Sequence, residues 1–165
     1  MIAFSDFVKT LYPIIGKGES KSNFLICLTN EIMVDPLTET DQQKASNDEY
    51  NPLAGKGTSV LEKIYNGKRN LPAKDAGEIV SRLDKEKFIE YLSEFPDDTI
   101  KLIGIALNKN GVNPPVNDLN NIINACTDLF VSVLANCASE IGIAKFGLRG
   151  LTGAQTRVAF KPRKF

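Results

Sequence analysis

Apolar residues recur along this chain every three to four positions in seven successive stretches, the spacing of helices that each bury one face. Phe4, Phe7, Val8, Leu11 and Ile15 mark the first. Ser5 is placed to cap it, and Pro13 and Gly16 to end it. From about Asn23 to Val34, Phe24, Leu25, Ile26, Cys27, Leu28 and Ile32 leave little polar face. That predicts a buried helix, stopped by Pro36. Residues 35–57 then read DPLTETDQQKASNDEYNPLAGKG, the longest stretch without a period; a segment of this kind is a solvated spacer or a presented arm.

The period resumes at Ser59-Val60-Leu61-Glu62, where serine three residues before glutamate has the form of a capping box. Leu61, Ile64 and Tyr65 make the apolar edge of this third helix, with Glu62 and Lys63 outward. Asn66-Gly67 ends it, since both residues tolerate the left-handed backbone of a helix stop. Pro72 suits the first turn of a fourth helix that carries Ala76, Ile79, Val80 and Leu83 on one face. Asp84 is a cap for a fifth, striped by Phe88, Tyr91, Leu92 and Phe95. A sixth covers Thr99 to about Lys109, with Ile100, Leu102, Ile103, Ile105, Ala106 and Leu107 and with Gly111 as its stop. After Pro114-Pro115, a rigid link and the best boundary between subdomains, a seventh and longest helix runs from Asn117 or Asp118 to about Glu140. Gly142, Gly147, Gly150 and Gly153 then disfavour helix. The runs Ile143–Leu148 and Thr156–Phe160 predict a weak β-hairpin or an extended arm. The expected fold is therefore mainly α. A compact helical module over residues 1–112 contains the helix-turn-helix-like segment 58–92. Residues 113–165 supply a long helix and a basic, Gly-rich tail or short β-hairpin.

Composition narrows the chemistry. With 42% hydrophobic residues in 165, the chain has the material for a folded core. No apolar run approaches the roughly 20 residues that span a bilayer, and the start, MIAFSDFVKT, lacks the pattern of a signal peptide. The expectation is a cytoplasmic protein in a reducing compartment. Cys27, Cys126 and Cys137 fall on apolar helical patterns, and their odd number without CxxC speaks against disulfides and zinc. There is no histidine, so Cys–His and Ser–His nucleophile systems and His-ligated metals are excluded. No catalytic set, metal or cofactor is expected.

Net charge is zero, but it is unevenly spread. Residues 1–140 hold 14 Lys/Arg against 20 Asp/Glu, a net of −6, and residues 141–165 hold six bases and no acid. The six are Lys145, Arg149, Arg157, Lys161, Arg163 and Lys164, a set suited to phosphates, with Phe146 or Phe160 available to stack on a base. Asp35, Glu39, Asp41, Asp48 and Glu49 make the irregular stretch an acidic arm suited to a basic partner. Between Lys56 and Lys74 there are five bases and one acid, Glu62.

The helix, the turn Asn66-Gly67-Lys68-Arg69 and the following helix resemble the second half of Cro/repressor-type helix-turn-helix domains. The resemblance covers about 35 of the 165 residues. It implies base or phosphate contacts from Thr58, Ser59, Glu62 and Lys63, and backbone contacts from Lys68 and Arg69. The sequence departs from that family in two ways. Glu62 puts an acid on the reading face, and the acidic stretch 35–57 stands where the first helix of the pair belongs. Both move the segment from sequence reader towards scaffold or protein contact, and leave residues 141–165 as the strongest nucleic-acid candidate. More widely, FSDFVKTLYPIIG, FLICLTNEIM and IYNGKRNLPAKDAGEIVSRLDKEKFIEYL, over residues 1–95, resemble the N-terminal module of some type II anti-CRISPR proteins from mobile elements of Gram-positive bacteria. That resemblance implies a non-enzymatic inhibitor that binds an RNA-guided effector nuclease or its guide RNA. The alternative is a DNA-binding transcriptional regulator of the repressor type.

Overall fold

The computed structural model describes residues 2–34, 51–112 and 118–146, without the side chains of 140–146. Among these residues lie seven α-helices: α1 (Phe4–Ile15), α2 (Lys21–Asn30), α3 (Thr58–Asn66), α4 (Ala73–Val80), α5 (Lys85–Ser93), α6 (Asp97–Lys109) and α7 (Leu119–Phe146). The fold is mainly α, as the periodicity predicts. The extended structure among the described residues is a single antiparallel bridge between Met33 and Leu83. There Val34 N–H donates to the Arg82 carbonyl and Asp84 N–H to the Ile32 carbonyl, both at 2.8 Å, tying the end of α2 to the entry of α5.

Helix ends follow local chemistry, but not always at the expected residue. Asp84 does cap α5, accepting from Lys87 N–H at 3.1 Å. Gly67 does stop α3, with φ of 79°. The α3 start is different. Gly57 is its N-cap, no side chain caps it, and Ser59 already lies inside the helix, so the Ser59–Glu62 capping box does not form. Ser5 likewise lies inside α1, whose N-cap is Ala3. Asp6 serves that end by accepting from Ala3 N–H. Pro13 sits within α1, in its last turn. The second helix starts earlier than expected because Ser20 caps it, accepting from Asn23 N–H at 3.1 Å.

Helix α7 is the element on which the others pack. α1, α4, α5 and α6 lie against it, while α2 and α3 pack on each other and on α1. Ile122, Cys126, Phe130 and Leu134 are spaced at four residues and fully buried, with Ile123 and Val133 beside them. Phe130 stacks on Phe7 of α1 at 4.8 Å between ring centroids and meets Phe88 of α5 at 5.1 Å. Gly104 lets α6 approach closely: a Cβ there would stand 2.8 Å from Ile122 Cδ1.

Two expectations about this region change. Leu119–Ser139, with mean hydropathy 1.4, is long and apolar enough by length and composition to cross a bilayer. In this fold 39% of that window is buried, its apolar face forming the core just described. The helix also runs past Glu140 to Phe146, so the first part of the expected strand Ile143–Leu148 is helical. The rest of the tail lies outside the described residues.

Candidate nucleic-acid interface

The segment around Asn66 is assembled from three sides. Tyr65, on the buried edge of α3, meets Tyr12 of α1 edge-on at 5.6 Å, and Tyr12 meets Phe24 of α2 at 5.4 Å. This aromatic cluster seats α2 against α3. Burial pushes the Tyr65 phenol above its ordinary pKa, with Tyr12 adding to the effect. Lys21, at the start of α2, lies over the Tyr65 ring with Nζ 5.3 Å from its centroid, a cation–π contact. α2 is thus the helix that accompanies α3, although some 27 residues of chain separate them.

The turn after α3 is built by backbone alone. Gly67 N–H donates to the Ile64 carbonyl at 3.2 Å. The Lys63 carbonyl accepts from both Lys68 N–H, at 2.9 Å, and Arg69 N–H, at 3.2 Å. Carbonyls left over at a helix C-terminus are thereby satisfied. The same bonds hold Lys68 and Arg69 at the negative end of the helix dipole, where cations are favoured. Thr58, Ser59, Glu62, Lys63, Asn66, Lys68 and Arg69 are all exposed.

Two interactions fix the approach to α3. Asn51 is buried, and its Nδ2 faces three acceptors on α2: the Ile26 carbonyl at 3.0 Å, Thr29 Oγ1 at 2.9 Å and Asn30 Oδ1 at 2.9 Å. Its Oδ1 accepts from Leu53 N–H at 2.9 Å. Lys56 pairs with Asp75 of α4 at 2.8 Å, with both side chains mostly covered. Of the five bases between Lys56 and Lys74, Lys56 is therefore already neutralised by a carboxylate.

Charge is segregated over the surface. Lys63, Lys68 and Arg69 stand together at the end of α3, with Glu62 as the acid on the same helix, and Lys21 of α2 lies over the Tyr65 ring of that helix. Asp84, Glu86, Glu90, Glu94, Asp97 and Asp98 concentrate on α5 and the start of α6. The two lysines of α5 have other engagements: Lys85 pairs with Asp128 at 2.9 Å, and Lys87 Nζ donates to the Asn30 carbonyl at 2.8 Å.

Beside the basic turn, a cleft of about 200 Å³ opens between the start of α1, residues 67–71 and the middle of α7. Ser5, Arg69, Asn70, Asn136 and Cys137 are its polar lining. Elsewhere, burial pushes the Cys126 thiol up to about 12. Burial, then Glu19 and Glu31, raise that of Cys27. Both thiols stay protonated at neutral pH, which keeps them poor nucleophiles. Among the described residues no group of three or more Cys, Asp or Glu forms a metal-binding set.

Of the residues the sequence singles out, Lys63, Lys68 and Arg69 stand together at the end of α3. Lys145 lies in the last turn of α7, where only the backbone is described. Arg149, Arg157, Lys161, Arg163 and Lys164 lie outside the described residues, as do Asp35, Glu39, Asp41, Asp48 and Glu49. Sequence reading misses Lys21 and Asn51. The signal for Lys21 is present, because Ser20 three residues before Asn23 marks a helix start that brings Lys21 onto α2. For Asn51 no local signal exists, since its partners are 21 to 25 residues away. No protein-family model, no curated protein and no solved structure matches the chain.

Proposed function

We propose that this chain is a non-enzymatic anti-defence protein, acting inside a bacterial host cell. It inhibits a type II CRISPR RNA-guided nuclease by binding the effector or its guide RNA. The observation that carries this reading is the segregation of charge within the region of resemblance, residues 1–95. Lys63, Lys68 and Arg69 form a basic end on α3, with Lys21 of the neighbouring α2 over Tyr65, and acids collect on α5 and the start of α6. Effectors of this class hold guide and target in positively charged channels. An acidic face competes for such a channel, and a basic end engages guide phosphates. One small protein with both faces suits a complex of cationic protein and anionic RNA.

A second reading has its own observation. α2 packs on α3, although some 27 residues rather than a short turn join them, and the outward face of α3 carries Thr58, Ser59, Glu62 and Lys63. On this reading the chain is a transcriptional regulator that binds duplex DNA through α3, with Glu62 accepting from a cytosine amino group.

One set of measurements separates them. The purified protein and its Lys63→Glu/Arg69→Glu variant are titrated against guide RNA, the effector–guide complex and duplex DNA, with effector cleavage followed in parallel. Inhibition of cleavage by the wild type, relieved in the variant, is the expected result. No complex with effector or guide, and undiminished cleavage, sinks the first reading. Salt-dependent duplex binding without inhibition favours the second. In that case every phosphate that the variant no longer neutralises lowers the slope of log K against log salt by about 0.9.

A further inference from the structure

Apart from Asp98, which also belongs to the acidic group above, helix α6 carries a strip that the foregoing function does not use. One face, with Ile100, Ile103, Gly104 and Leu107, is buried against α1 and α7. Elsewhere on the helix stand Leu102 and Ile105, the exposed large hydrophobic side chains among the described residues, at 53% and 43% exposure. Asp98 precedes Leu102 by four positions, Ile105 follows Leu102 by three, and Lys109 follows Ile105 by four; all four residues are exposed. At 100° per residue these positions fall within a strip about 60° wide, and the 4-3-4 spacing is that of a coiled-coil seam.

The strip reads as its own complement. Its midpoint lies between residues 103 and 104. A two-fold axis through that point, normal to the helix, sets Leu102 against Ile105 of a second copy and Asp98 against that copy's Lys109. Each contact occurs twice, as an isologous interface requires. We propose that α6 is a homodimerisation surface, with two copies packed antiparallel through this strip. The apolar pair supplies the attraction, and the end charges set the direction. A parallel pairing would bring Asp98 to Asp98 and Lys109 to Lys109. The helix dipole favours an acid in the first turn and a base in the last. It does not ask that both share a line with the two exposed apolar side chains. The contact is small, so the dimer belongs with weak, concentration-dependent associations.

Sedimentation of the full-length protein from about 1 μM to about 1 mM spans the range over which a weak pair dissociates. The mass is expected to rise from one chain to two. Leu102→Gln/Ile105→Gln, changes at exposed positions, should hold it at one. Asp98→Lys alone and Lys109→Asp alone place like charges opposite each other, and each should weaken the dimer about tenfold. The two single variants mixed should pair one to one, because every charge then meets its opposite. The double variant Asp98→Lys/Lys109→Asp should dimerise again. Helical content by circular dichroism confirms that each variant is folded. A single-chain mass throughout, a dimer that survives Leu102→Gln/Ile105→Gln, or single variants that fail to pair on mixing would each overturn the proposal.

Discussion

Asn51→Ala tests whether the chain leading into α3 is held by one buried amide. The alanine removes a donor facing three acceptors and an acceptor serving one N–H. An amide nitrogen has two hydrogens, so the three acceptors share two bonds. The losses are unequal. The bonds to the Ile26 carbonyl and Asn30 Oδ1 are only partly buried, and water can replace them. Leu53 N–H is buried, and its bond to Asn51 disappears without substitute. Thr29 Oγ1 keeps its own donation to the Leu25 carbonyl at 2.8 Å but loses an incoming bond. An unsatisfied buried group costs about 1–3 kcal/mol. Leu53 N–H contributes most of this and Thr29 a fraction, for a total of about 1–4 kcal/mol. The segment cannot escape the cost by lifting off, because Leu53 itself is fully buried. Urea unfolding of the full-length protein should show a lower midpoint at unchanged slope. Thr29→Val completes a double-mutant cycle, with an expected coupling of about 1 kcal/mol. A loss below about 0.5 kcal/mol, the range of ordinary surface substitutions, or a fully additive cycle would refute the clamp.

Two further outcomes follow from the same physics. Gly67 has φ of 79°, and a Cβ there would stand 3.0 Å from Ser5 Oγ. Gly67→Ala should therefore cost about 1–2 kcal/mol through left-handed strain, read as a lower thermal midpoint; unchanged stability would show that the turn relaxes freely. Stability should also fall at alkaline pH. The Cys126 thiol is raised from 9.0 to about 12 and the Tyr91 phenol from 10.0 to about 12, both chiefly by burial. The folded state thus keeps protons that the unfolded state releases first. Stability is complete below pH 9 and declines as pH rises towards 12, by at most about 1.4 kcal/mol per pH unit for Cys126. Tyr91 is more open to water and adds a smaller slope above pH 10. Urea midpoints between pH 8 and 11 check this. Cys126→Ala should flatten the part between 9 and 10, and a profile just as steep in that variant would contradict the assignment.

The helices are legible in the sequence, because their period is written in neighbouring residues. Three of their ends, Asp84, Gly67 and Gly16, are legible there too. Other ends were less legible. Ser59 and Ser5 have the right chemistry for a cap but sit inside their helices, since a cap depends on where the backbone turns, and Gly57 and Ala3 hold those positions. The glycines near residue 142 predict an end to α7, yet the helix continues to Phe146. The basic pair Lys68-Arg69 was readable as chemistry from its four-residue turn. Its setting was decided by tertiary structure: α2 lies on α3 through Tyr12, Phe24 and Tyr65, Lys21 arrives over the Tyr65 ring, and Lys56 is spent on Asp75. These contacts join residues that are distant in the chain or on different helices, and no local period encodes them. They form only when burying apolar faces on α1 and α7 brings those helices together, and that packing also leaves Leu102 and Ile105 outside.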